Sequence, residues 1–87
     1  MRIGIGQIDP HVGAIHRNKD RILDTIDRAR DQGCDLVVFP ELAVCGYSPL
    51  DTVWRPGYVD ACGAAVDAIR DASRGIGVLV GTVTARA

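Results

Sequence analysis

The sequence predicts an α/β fold in the order β-α-β-loop-α-β, with parallel strands joined by right-handed crossovers. Two observations carry this. "DLVVF" (Asp35 to Phe39) and "GIGVLVGTV" (Gly75 to Val83) are near-continuous apolar runs of strand length, the pattern of strands buried on both faces of a parallel sheet. Between and around them lie two stretches whose apolar residues recur at helical spacing against charged ones.

The elements follow in order. "RIGIGQI", Arg2 to Ile8, sets Ile3 and Ile5 on one face and Gly4 and Gly6 on the other, a strand whose second face is closely approached by neighbouring backbone. "DPHVG" turns the chain. From Ile15 to Arg30, Ile15, Ile22, Ile26 and Ala29 form a stripe with Leu23 beside it, while Arg17, Asp20, Asp24, Asp27, Arg28 and Asp31 take the remaining surface. Asn18 is the expected N-cap of this helix, and Gly33 its left-handed C-terminal glycine. The strand "DLVVF" ends at Pro40, which lacks an amide donor and keeps Phe39 extended, so Glu41 falls just past the strand's carboxyl end. "AVCGYSPLDTVWRPG" carries too many glycines and prolines for one regular element, and a short helical turn is expected near Asp51 to Trp54. Val59, Cys62, Val66, Ile69 and Ser73 then recur at helical spacing opposite Asp60, Asp67, Arg70 and Asp71, before a third buried strand over Gly75 to Val83. This arrangement leaves the far side of the sheet without cover, so residues 1–87 are expected to be an incomplete domain, the N-terminal portion of something larger.

Composition narrows the function classes. The 87 residues are 47% apolar and 24% charged, which describes at most one soluble globular domain. A net charge of -1 without basic patches gives no reason to expect nucleic acid or an anionic membrane as partner. No apolar run reaches the roughly 20 residues of a membrane span, no signal-peptide core follows Met1, and a cytoplasmic location is expected. Cys34, Cys45 and Cys62 lack CxxC spacing, and the histidines are only His11 and His16, so reduced thiols and no structural metal are expected. "GIGQID" is not a dinucleotide fingerprint, because its glycines lie inside the strand and Asp9 takes the third glycine's place. No cofactor is expected in this segment.

In open α/β sheets ligands gather beyond the carboxyl ends of the strands, which makes Glu41 a candidate site residue. By position alone it could equally cap a helix start or pair with an arginine. The surrounding letters add a resemblance. "DLVVFPELAVCGYSP" resembles the first active-site segment of the nitrilase superfamily of carbon-nitrogen hydrolases, in which aliphatics precede F/L-P-E and G-Y follows. "IGQIDPHVGAIHRN" is similar to that family's opening strand and turn, matched at Gln7, Pro10, Val12, Gly13, Ile15 and Asn18. "GYSPLDTVWRPGYVDA" further resembles a stretch of the glutamine amidohydrolase domain of glutamine-dependent NAD synthetases, matched at Tyr47, Pro49, Asp51, Arg55 and Pro56, with Thr52 and Val53 in place of a leucine pair.

The resemblance implies the N-terminal portion of a nitrilase-type αββα sandwich and a Glu-Lys-Cys triad acting on an amide, glutamine above all. Glu41 matches the glutamate, whose implied role is general base and then general acid. Reference pKa values of about 4.3 for Glu and 8.5 for Cys oppose that proton transfer by about 5.7 kcal/mol, so a desolvated site is expected around Glu41. Lys19, the only lysine, sits in the first helix and is read as a surface residue; Cys45 is read as an ordinary loop residue. The triad's lysine and cysteine are expected beyond Ala87, leaving the isolated segment inert. Tyr47 is a candidate substrate-binding residue. ATP and Mg²⁺ are expected only in a downstream synthetase domain, and the parent protein is expected to be a homo-oligomer. Two other readings stay open: a stand-alone amidase of the same superfamily acting on another small amide or carbamoylated amine, and a non-enzymatic flavodoxin-like binding module.

Overall fold

The computed structural model describes residues 1–46 and 55–83. The elements are β1 (Ile3–Ile5), α1 (Ile15–Asp31), β2 (Leu36–Val38), α2 (Tyr58–Ala72) and β3 (Gly77–Leu79). The three strands form one parallel sheet in the order β1-β2-β3. Beyond the paired triplets the ladder gains one rung on each side of β2, from Gly6 N–H to Val38 O at 2.8 Å and from Phe39 N–H to Leu79 O at 2.9 Å. Pro40 follows at once, and with no amide hydrogen it cannot continue the ladder.

Strand periodicity and register sort the side chains into two faces. Gly4, Val37 and Val78 form one row beneath the helices, where Val37 is buried with Ile22, Ile26, Cys62 and Ile69. Ile3, Leu36 and Gly77 make a row on the opposite face, and Ile5, Val38 and Leu79 another. That face is open: Ile5 is 73% exposed and Leu79 62%. The expectation that β2 and β3 are buried on both faces is therefore corrected, since both helices pack against each other and cover one side only.

α1 buries Asn18, Ile22, Ile26 and Ala29, three spacings of four, four and three residues that trace one side of a helix. The N-cap is Ala14, so the expected capping role of Asn18 is corrected. A cap stands outside the helix, whereas the backbone N–H of Asn18 already bonds Ala14 O at 2.9 Å and its side chain lies on the buried stripe, one turn before Ile22. The other end matches expectation. Gly33 has a φ of +76°, its N–H bonds Arg30 O at 3.0 Å, and Cys34 N–H bonds Ala29 O at 3.0 Å, the paired bonds of a Schellman motif.

α2 buries Tyr58, Cys62, Ala65 and Ile69. Relative to the expected stripe, the helix is turned so that Val59 and Val66 flank the core, and Ser73 is the C-cap, its hydroxyl donating to Arg70 O at 2.7 Å. Arg30 joins the two helices. Its guanidinium donates to Asp27 on α1, to Arg74 O at 3.1 Å and to Ala72 O, placing a cation on the carbonyl end of α2. The short turn expected near Asp51 to Trp54 lies outside the described residues. Among the described residues no helix is long and apolar enough to cross a membrane.

Gly4 in β1 and Gly6 just after it are approached by side chains rather than by the backbone expected from sequence. A Cβ on Gly6 would stand 2.6 Å from the ring of Phe39, and one on Gly4 3.2 Å from Cys34 Sγ. The ring of Phe39 is buried and has no room to withdraw. Gly6→Ala is accordingly expected to destabilise the protein by about 1–3 kcal/mol through overpacking. Denaturant unfolding checks this, and a midpoint equal to that of the unmodified protein would contradict the ring-on-glycine packing.

Candidate active site

Three parallel strands deliver their carboxyl ends to one edge of the sheet, where the segments following β1, β2 and β3 meet. The segment after β2 is the central one. Phe39, Ala43, Val44 and Cys45 turn inward to the core, while Pro40 and Glu41 point outward and are exposed. Among the described residues Glu41 has no ion-pair or hydrogen-bond partner, so the alternative of an arginine-paired acid finds no support there. The desolvated surroundings expected for Glu41 are not supplied by the described residues either, because the apolar side chains next to it in sequence face the other way.

The turn itself is tightly held. Leu42 has a φ of +54°, a left-handed conformation that costs a branched non-glycine residue about 1–3 kcal/mol and persists only where the surroundings impose it. Leu42 O accepts the N–H of Gly46 at 2.7 Å, closing a five-residue turn. On the β3 side, a Cβ on Gly81 would stand 2.6 Å from Leu42 N, and Val44 N–H bonds Gly81 O at 3.3 Å. On the β1 side, Gly46 has a φ of +83°, and a Cβ there would stand 2.6 Å from Val12 N. Gly13 N–H bonds Cys45 O at 3.0 Å. Asn18 completes this side: Oδ1 accepts His11 N–H at 2.9 Å, and Nδ2 donates to His11 O at 2.8 Å and to Val44 O at 3.0 Å.

These contacts were missed in the sequence, although one signal was there. Position 18 falls four residues before Ile22 on the apolar stripe, and a polar residue at such a place needs internal partners. Tyr47 lies outside the described residues. Lys19 is paired rather than free in solvent, with Nζ 3.3 Å from both Asp20 Oδ1 and His16 Nδ1. Among the described residues no three His, Cys, Asp or Glu side chains converge as a metal site.

The thiols do not offer a nucleophile to this edge. Cys45 is fully buried with Sγ directed at Leu42 O, and Cys62 is fully buried beside it. Burial pushes the Cys62 thiol up, the neighbouring Cys45 adds to that, and a hydrogen bond with Thr82 opposes it. A thiol held protonated is a poor nucleophile. Cys34 is half-buried under Gly4.

Comparison with known proteins gives a consistent result. A carbon-nitrogen hydrolase family model matches residues 2–86. The chain is 45% identical over 82 residues to a glutamine-dependent NAD(+) synthetase of Xylella fastidiosa, an alignment that covers 93% of this chain and 15% of the relative. The structure of glutamine-dependent NAD+ synthetase from Acinetobacter baumannii, solved with adenosine diphosphate, superposes with a TM-score of 0.85 at 28% identity, over 97% of this chain and 16% of that one. That of a glutamine-dependent NAD(+) synthetase from Cytophaga hutchinsonii superposes over 100% of this chain and 15% of its own with a TM-score of 0.92, which at 23% identity speaks for a shared fold. The chain thus spans about 15% of the length of the relatives it matches.

The buried thiols provide a check on the packing behind Glu41. In the folded protein a thiol reagent is expected to modify Cys34 first and to reach Cys45 and Cys62 only on unfolding. The pH dependence has a defined sign. The folded state holds the Cys62 proton to higher pH than the ordinary value of 9.0, so well below that pH the thiol is protonated in both states and its own contribution to stability does not change. As pH rises beyond it, the unfolded chain binds fewer protons than the folded one and stability falls. Cys62→Ala is expected to flatten this alkaline decline, and unfolding midpoints measured from about pH 7 to 10 that keep the same slope would refute it.

Proposed function

The chain belongs to the carbon-nitrogen hydrolase family, and on that premise we propose that residues 1–87 are the N-terminal, incomplete part of the glutamine amidohydrolase domain of a glutamine-dependent NAD synthetase. The parent hydrolyses glutamine to glutamate and ammonia and passes the ammonia to a separate ATP-dependent domain that amidates deamido-NAD. The observation that carries this reading is the place of Glu41: an acid on a clamped turn at the carboxyl end of the central strand, in a chain whose relatives are named for that activity. The same relatives favour a synthetase over a stand-alone amidase, and the family match disfavours a flavodoxin-like module.

In this reading Glu41 accepts the proton of a cysteine thiol as the sulfur attacks the amide carbon, and returns it to the departing ammonia. The cysteine, and the lysine that stabilises the tetrahedral intermediate, come from outside residues 1–87. So does the desolvation that raises a carboxylate towards a thiol, because Glu41 is exposed among the described residues. Tyr47, six residues on, contributes to the glutamine pocket. ATP and Mg²⁺ act in the synthetase domain; the glycines of "GIGQID" offer them no cradle, since Phe39 and Cys34 fill the space above Gly6 and Gly4. The protein works as a cytoplasmic homo-oligomer.

Glu41→Gln in the full-length protein tests the assignment. Glutamine-driven NAD formation is expected to fall by about 10²- to 10⁴-fold, the usual range for loss of a general base, while formation driven by added ammonium salt stays unchanged. Normal glutamine turnover in that variant would remove Glu41 from the mechanism.

A further inference from the structure

We propose that Asn18 is a positioning residue for the reaction at Glu41, a role that rests on the reading of Glu41 as general base. Among the described residues Asn18 is the one polar side chain buried in the core, at 0% exposure. It stands on the stripe that Ile22 and Ile26 otherwise fill, where packing alone would be served by another aliphatic. Its amide instead uses both donors and its acceptor on backbone groups of two different loops, His11 after β1 and Val44 after β2. A buried amide spent on backbone fixes how those loops lie against each other.

Val44 is the point through which this reaches Glu41. Its C=O is held by Asn18 and its N–H by Gly81 O, so this one residue is tied to the segments after β1 and β3 together. Three residues back is Glu41, which immediately precedes the left-handed Leu42 at the start of the closed turn. A strained turn keeps its shape only while it is held at both ends. Release of the Asn18 bond leaves Gly13 N–H on Cys45 O as the hydrogen bond holding the β1 side, which loosens the turn enough for Leu42 to move towards negative φ and for the carboxylate of Glu41 to shift from the thiol it must reach.

Asn18→Leu and Asn18→Asp in the full-length protein are the test, with Glu41→Gln assayed beside them. Asn18→Asp keeps the shape and the acceptor for His11 N–H but loses both donors, and it decides the matter should Asn18→Leu fail to fold. In the folded variant, kcat for glutamine hydrolysis is expected to fall about 10- to 100-fold with KM within about threefold, the signature of a misplaced catalytic group rather than of lost substrate binding. In Asn18→Leu, which adds no ionisable group, the acid limb of the kcat profile is expected to shift as the carboxylate changes surroundings, which a purely structural residue would not cause. A folded Asn18→Asp with kcat within threefold of the unmodified protein and an unmoved acid limb, alongside an inactive Glu41→Gln, overturns the positioning role alone. An active Glu41→Gln overturns the general-base reading on which it rests.

Discussion

Parallel pairing is the constraint from which the rest of the molecule follows. Three strands running the same way must each be returned by a crossover, and here both visible returns are helices packed on a single face. The same constraint sends every strand's carboxyl end to one edge, so the segments that leave β1, β2 and β3 are forced into contact. Their backbones cross so closely at Gly46 and Gly81 that a Cβ at either place would stand 2.6 Å from a neighbouring amide nitrogen. Loops that begin from rigid strand ends and cross at van der Waals distance are a firm platform for a functional side chain. Glu41 stands on that platform with its side chain turned outward, while the four inward-facing neighbours on the turn and strand end anchor it from behind.

Much of this was legible in the sequence. The element order followed from the alternation of apolar runs and helical stripes, and Gly33 announced its Schellman turn because only a residue without a side chain tolerates that backbone at low cost. The end of β2 was fixed by Pro40. What could not be read came from tertiary placement. Asn18 has the composition of a cap, and local propensity argued for one; its burial depends on α1 lying against the loop after β2, which no window of sequence contains. The stripe of α2 differs from its sequence expectation for a related reason, since Tyr58 and Ala65 face the core in the packing of α2 against α1. Continuous apolar runs suggested two covered faces for β2 and β3, whereas periodicity of two applied to the observed register leaves Ile5, Val38 and Leu79 outside.

The site was legible to a smaller degree. Glu41 stands out once the strand end is recognised, but the glycines that let the loops cross carry no chemical signal of their own, and Leu42 gives no hint of positive φ. Positions of this kind are set by backbone approach, which sequence reports only indirectly. The distinction matters for how such a site evolves, because a change at Gly46 or Gly81 would disturb the acid without touching any reacting group.

The open sheet face bears on how the chain behaves while it is being made. Ile3, Ile5, Leu36, Val38 and Leu79 form an aliphatic strip with no cover among the described residues, and in the proposed incomplete domain that cover comes from sequence distant from these strands. Contacts of that separation form late. Until they do, such a strip is transiently exposed apolar surface of the kind that makes a folding intermediate prone to aggregate.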